Sequence, residues 1–106
     1  MRTFNLTTNE LKATIALVKN CLAGMCGERP ADLMDDPYTW AEPQDLIDAG
    51  WTKHEAAGTW GALEEKGIVG GDTKRTYFMG QPEPLESYVD ESVLPWLETI
   101  WDANQE

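Results

Sequence analysis

Apolar residues recur at three- and four-residue steps from Leu11 through Ile15, Val18, Leu22 and Met25, the spacing of one helix face. Thr7 and Glu10 stand just ahead of them at the spacing of a capping box. Together they predict a first helix over residues 8–23, ended by Gly24 and Gly27, with Phe4 and Leu6 placed to tuck against the core. Residues 27–39 then turn polar and acidic, with Pro30, Asp32, Asp35, Asp36 and Pro37, and predict an irregular loop. Tyr38-Thr39-Trp40 has the composition of a short strand, and Pro43 suits the first turn of a second helix over 43–49.

The stretch from 43 to 79 carries the densest local signals. Gly50 supplies a residue tolerant of left-handed backbone, and Thr52 with Glu55 forms a second capping-box pair. Ala56, Trp60 and Leu63 mark the inward face of a helix over 53–66, which Lys66-Gly67 stops with a cation at the helix end and then a C-terminal glycine. Ile68-Val69, the turn residues Gly70-Gly71-Asp72, and Thr76-Tyr77-Phe78-Met79 predict a β-hairpin over 68–79. Beyond a hinge at Gly80-Gln81-Pro82-Glu83-Pro84, the residues Leu85, Tyr88, Val89, Val93, Leu94, Leu97, Ile100 and Trp101 fall at helical steps. Pro95 should divide them into helical pieces near 84–93 and 95–104. The expected core is Leu11, Ile15, Val18, Leu46, Ile47, Ala56, Leu63, Ile68 and Phe78.

The order helix, Gly-containing turn, helix and hairpin over 43–79, with its Leu63-Glu64-Glu65-Lys66-Gly67-Ile68-Val69 junction, resembles the winged helix-turn-helix superfamily, the MarR-like and related small bacterial and phage regulators most closely. The resemblance implies a mainly α fold with a small β-hairpin. Residues 1–80 would form the winged-helix domain, and 81–106 an acidic C-terminal helical extension packed on that domain or on a dimer partner. It further implies a recognition helix that presents Thr52, Lys53, His54, Ala57, Gly58 and Gly61 to double-stranded DNA, with Thr73, Lys74 and Arg75 at the wing. MarR-like proteins dimerise through terminal helices, so Leu94, Trp96, Leu97 and Trp101 become the expected partner interface of a homodimer. The chain departs from a typical reader in one respect: Ala57, Gly58 and Gly61 have no side chain that can hydrogen-bond to a base edge.

Composition changes this picture mainly through charge. The 106 residues fit one domain, with 42% apolar and 25% charged residues. The net charge is −11, and residues 81–106 hold seven acids with no Lys or Arg, leaving −4 on the first 80 residues. Such acidity repels phosphate unless the cations cluster. Two functions therefore stand open: a small DNA-binding transcriptional regulator, or an acidic winged-helix module that binds a basic protein partner or imitates DNA. An enzyme is not expected, because no phosphate loop, metal motif or nucleophile–base pair is visible. Cys21 and Cys26, with a single histidine in the chain, do not make a zinc site, and Cys21 reads as a small core residue. The aspartates at 32, 35 and 36 lack the alternation and glycine of a calcium loop. No cofactor is expected. No run approaches a membrane span, and residues 1–6 lack the apolar core of a signal peptide, so a cytoplasmic location is the expectation.

Overall fold

The computed structural model describes residues 3–35, 39–72, 77–78, 81–82 and 86–104. It is mainly helical, with a small antiparallel sheet. Helix α1 spans Thr8–Met25. Thr7 Oγ1 accepts from the Glu10 N–H at 3.2 Å, and the Glu10 carboxylate accepts from the Thr7 N–H at 2.8 Å. The helix runs through Gly24 and ends where Cys26 takes φ 58°, with the Gly27 N–H closing onto the Leu22 carbonyl at 2.8 Å. Gly27 is held small by close approach, since a Cβ there would stand 2.9 Å from Leu22 Cδ2.

The loop expected over 27–39 is in part a helix, α2, over Pro30–Asp35. Asp32 makes this short helix viable by accepting from the Glu28 and Arg29 N–H groups at 2.8 and 3.2 Å, and Leu33 anchors it with no exposed surface. Those two bonds also hold the Asp32 carboxyl below its usual pKa. Helices α3 (Pro43–Asp48) and α4 (Lys53–Glu65) follow as the sequence indicates. Gly50 takes φ 113° in the turn between them, and Gly67 takes φ 75° where α4 stops.

Strand β1 (Val69–Asp72) does not pair with the described part of the expected second hairpin strand, Tyr77–Phe78. It pairs antiparallel with β4 (Glu86–Val89), in the register Val69↔Val89 and Gly71↔Ser87, while β2 (Tyr77–Phe78) pairs with β3 (Gln81–Pro82). The helical piece expected near 84–93 is thus corrected to a strand. Ser87 and Val89 face inward and Tyr88 outward, a two-residue alternation that overrides the weaker helical spacing. The stretch before α3 joins the other edge of β4: Trp40 bridges Tyr88, Ala41 N–H donates to the Ser87 carbonyl at 3.1 Å, and Val89 N–H donates to the Thr39 carbonyl at 2.9 Å. Helix α5 spans Val93–Ile100. It starts two residues before Pro95, which therefore falls in the first turn, where its missing N–H has no intrahelical partner to lose.

One buried cluster unites these elements. Leu17, Val18, Leu46, Ala56, Trp60, Leu63 and Ile68 meet Val89, Val93, Leu94, Leu97 and Trp101 in it. Of the expected core, Ile15 is also buried, Leu11 and Ile47 pack on the cluster half-buried, and the Phe78 side chain lies outside the described residues. Among the described residues, two ion-pair tethers close the fold. Lys66 at the end of α4 reaches the Glu10 carboxylate and, at 3.0 Å, the Asn5 carbonyl. Arg29 reaches Glu98 at 2.5 Å and Asp102 at 3.2 Å, while the second Glu98 oxygen accepts from the Ala31 N–H at 3.0 Å. The first tether has its carboxylate almost fully buried. Lys66 and the Thr7 N–H, in that order, hold the Glu10 carboxyl below its ordinary pKa of 4.5 against the opposing effect of burial. Among the described residues no helix is long and apolar enough to cross a membrane.

This packing yields two expected outcomes. Leu63 has no exposed surface, and Leu63→Ala should cost about 2–5 kcal/mol in a urea denaturation series, the range for a leucine lost from a packed core. Glu10→Gln keeps the helix cap but removes the charge that Lys66 neutralises. Because the folded pKa lies below 4.5, the tether contributes its full stability above that pH. The variant's melting temperature should fall below wild type at pH 7, and the difference should close as the pH drops below 4.5 through the folded pKa. A difference independent of pH would mean that the charge contributes nothing.

Candidate nucleic-acid interface

Helix α4 is divided along its length. Ala56, Trp60 and Leu63 are buried, and the helix packs with α3, α1 and β1. The opposite side carries Thr52, Lys53, His54, Ala57, Gly58 and Gly61, and all six are exposed. The sequence places these residues on one accessible face, and the structure does the same. Thr52 sets the N-terminal end: its hydroxyl accepts from the Glu55 N–H at 3.1 Å, and its own N–H donates to the Glu55 carboxylate at 3.1 Å. Those bonds hold the Glu55 carboxyl below its usual pKa. Neither glycine on the face is demanded by the chain itself. A Cβ at Gly58 or Gly61 would meet nothing within 4 Å.

Charge on α4 is graded. Lys53 and His54 are exposed at its N-terminal end, where unpaired N–H groups add partial positive charge, and Glu64 and Glu65 are exposed at its C-terminal end. Beside the N-terminal end, His54 and Glu55 line an open hollow of about 420 Å³ with Asn9, Gly50, Trp51, Gly58 and Thr59. Of the other described cations, Lys12 and Lys19 lie on α1, whereas Arg29 and Lys66 are held by the two tethers. Thr73, Lys74 and Arg75, the expected wing contacts, lie outside the described residues.

The residues expected at a partner interface are placed differently. Leu94, Leu97 and Trp101 are at most 4% exposed and belong to the chain's own core. Trp96 is half-buried and meets Phe4 edge to face, with ring centroids 5.3 Å apart. The helical spacing marks these side chains correctly as apolar, but the surface they cover is the chain's own. Cys21 is buried, its thiol donates to the Trp40 carbonyl at 3.4 Å, and burial raises its pKa to about 11. It is thus a protonated packing residue that pins the edge strand to α1. Among the described residues, no three His, Cys, Asp or Glu side chains gather to hold a metal.

Several residues that shape this surface were not singled out by the sequence. Glu98 binds Arg29 and an α2 N–H across the fold, a link with no local signature. Trp40 and Tyr88 are exposed at 56% and 41%, and the signal for them was the alternation of Thr39-Trp40-Ala41 and Ser87-Tyr88-Val89. The buried indole N–H of Trp60 has no hydrogen-bond partner among the described residues. Comparison with protein-family models, curated proteins and solved structures finds no match to this chain.

Because Gly58 and Gly61 lie within a helix with open space above them, Gly58→Ala and Gly61→Ala should each stabilise the chain by about 0.5–1 kcal/mol. Chemical denaturation of the two variants checks this, and a loss of stability at either position would show a local constraint.

Proposed function

We propose that this chain is a small winged helix-turn-helix protein that binds double-stranded DNA through α4 and the segment following β1, in the manner of a transcriptional regulator. The observation that carries the reading is the bare face of α4. A capped helix, entered through a tight turn from α3 and followed by an antiparallel strand pair, leaves Thr52, Lys53, His54, Ala57, Gly58 and Gly61 uncovered. The edge strand at Thr39–Ala41 pairs with β4, so its order relative to the helices also agrees with a winged helix. The cationic end of α4 would enter the major groove first, keeping Glu64 and Glu65 at the far end. Small residues along the face permit close approach of the helix backbone and offer no base-reading side chain. Contact would be mostly with phosphate, through Lys53, Lys74, Arg75 and protonated His54.

A second reading, an acidic module that binds a basic protein partner or imitates DNA, is favoured by the net charge of −11. It is favoured further by the diversion of Arg29 and Lys66 into tethers, which removes them from any phosphate-binding patch. A homodimer belongs to these proposals only through a surface other than Leu94, Leu97 and Trp101.

Titration of mixed-sequence duplex DNA separates the two readings. With about three phosphate contacts, the logarithm of the binding constant should fall with the logarithm of salt at a slope near −3. Charge reversal at Lys74 and Arg75 together should abolish binding. Absence of any DNA retention near about 20 mM salt, where screening is weak, would leave the acidic module. Charge reversal at Glu98 is unsuitable as a gain-of-binding control, because Glu98 holds Arg29 and α2 in place.

A further inference from the structure

We propose that the outer face of the sheet, built on Trp40 and Tyr88, is a docking surface for an arginine-bearing segment of a partner protein. It is separate from the exposed face of α4 and does not rest on the DNA-binding reading. Trp40 and Tyr88 stand opposite each other in an antiparallel bridge, so their side chains leave the same face of the sheet. They remain 56% and 41% exposed. The inner face needs neither, because Thr39, Ala41, Ser87 and Val89 fill it and are all buried. On the third strand Gly70 pairs with Tyr88, and the position of a Cβ at Gly70 lies 3.5 Å from the Tyr88 ring and hydroxyl. The tyrosine ring therefore extends over Gly70 of β1, while Trp40 stands on the other side of β4, so the two aromatic side chains share one face of the sheet.

The surroundings of this aromatic pair select its ligand. Trp40 forms the ridge between two open hollows. One, of about 410 Å³, is lined by Thr39, Trp40, Tyr88, Asp90 and Glu91. The other, of about 550 Å³, brings the carboxylates of Glu42 and Asp45 to the opposite flank of Trp40. No Lys or Arg is among the described residues lining either hollow. Asp45 and Asp90 also accept local backbone hydrogen bonds, from Glu42 and Ser92, which fix their positions.

Aromatic faces are electron-rich, and cations are drawn to them, most strongly to tryptophan. Carboxylates on both flanks add Coulomb attraction of the same sign and repel phosphate, which excludes nucleic acid from this face. Guanidinium is the cation that combines planar stacking with hydrogen bonding to carboxylate. The two acidic hollows share the Trp40 ridge, so a single extended segment can place basic side chains on either side of it. Alternate residues of such a segment are about 7 Å apart.

The test is a fluorescence-anisotropy titration of a fluorescein-labelled peptide of alternating arginine and glycine with the full chain at about 20 mM salt, where screening is weak. Binding is expected, weaker when lysine replaces arginine and lost when glutamine does. Trp40→Ala and Tyr88→Ala should each weaken it at least about five-fold with little change in melting temperature, because neither side chain belongs to the buried core. Trp40→Phe should retain most of the affinity, and Glu91→Gln should weaken it less than either alanine variant. Charge reversal at Lys53, on the α4 face, should not weaken it, which keeps this result independent of DNA binding. The proposal is overturned if no binding is detected, or if Trp40→Ala and Tyr88→Ala bind as tightly as wild type. It is equally overturned if sedimentation shows a self-associated chain that Trp40→Ala renders monomeric, since the occupant would then be a second copy.

Discussion

The way α4 stops sets the course of the chain beyond it. Gly67 takes φ 75°, and the Ile68 N–H returns to the Leu63 carbonyl at 2.9 Å, a reversal that side chains with a Cβ resist. It lets Leu63 and Ile68, on either side of the reversal, both be fully buried. The Ile68 carbonyl then accepts from the Asp90 N–H at 2.8 Å, which ties the distant end of β4 to the end of α4. With that link made, β4 has β1 on one side and the strand before α3 on the other. The inward residues of β1, β4 and the bridged stretch before α3 join the same buried cluster as α1.

Charge divides the surface in a related way. The chain has few cations, and two of those described are held against Glu10 and against Glu98 with Asp102. The tethers join segments far apart in sequence and differ in value. Glu10 is mostly covered although Lys66 stays partly exposed, so their pairing is less screened than the solvent-exposed Arg29–Asp102 arm, which contributes little. Of the other described cations, Lys12 and Lys19 are exposed on α1, and Lys53 stands beside His54 at the start of α4. The two exposed faces therefore differ in charge: Lys53 and His54 stand at the start of α4, and Glu42, Asp45, Asp90 and Glu91 flank Trp40.

Local chemistry was legible wherever one short stretch determined it. The Thr7–Glu10 and Thr52–Glu55 caps, the left-handed Gly50 and Gly67, the inward face of α4 and its exposed complement all depend on residues within a turn or two of one another. Each feature that the pattern missed has a physical reason. Cys26, not Gly24 or Gly27, takes the left-handed position that ends α1, and Gly27 is instead held small by its approach to Leu22. The run Glu86–Val89 fits both a helical and an alternating spacing, and only pairing with β1 resolves it. Polar composition concealed α2, whose stability comes from Asp32 as a cap and from Leu33 docking beside α5.

The sequence by itself determined where α1, α3 and α4 begin, where α3 and α4 end, and which residues of α4 would be left outward, because capping and periodicity act over a few residues. Only the tertiary structure decided that β1 meets Glu86–Val89, and that Leu94, Leu97 and Trp101 are spent on the chain's own core. The same holds for the release of Trp40 and Tyr88 to the surface. Apolar character says that a side chain will be covered; which surface covers it is set by contacts between segments many residues apart, and a one-dimensional pattern does not contain them.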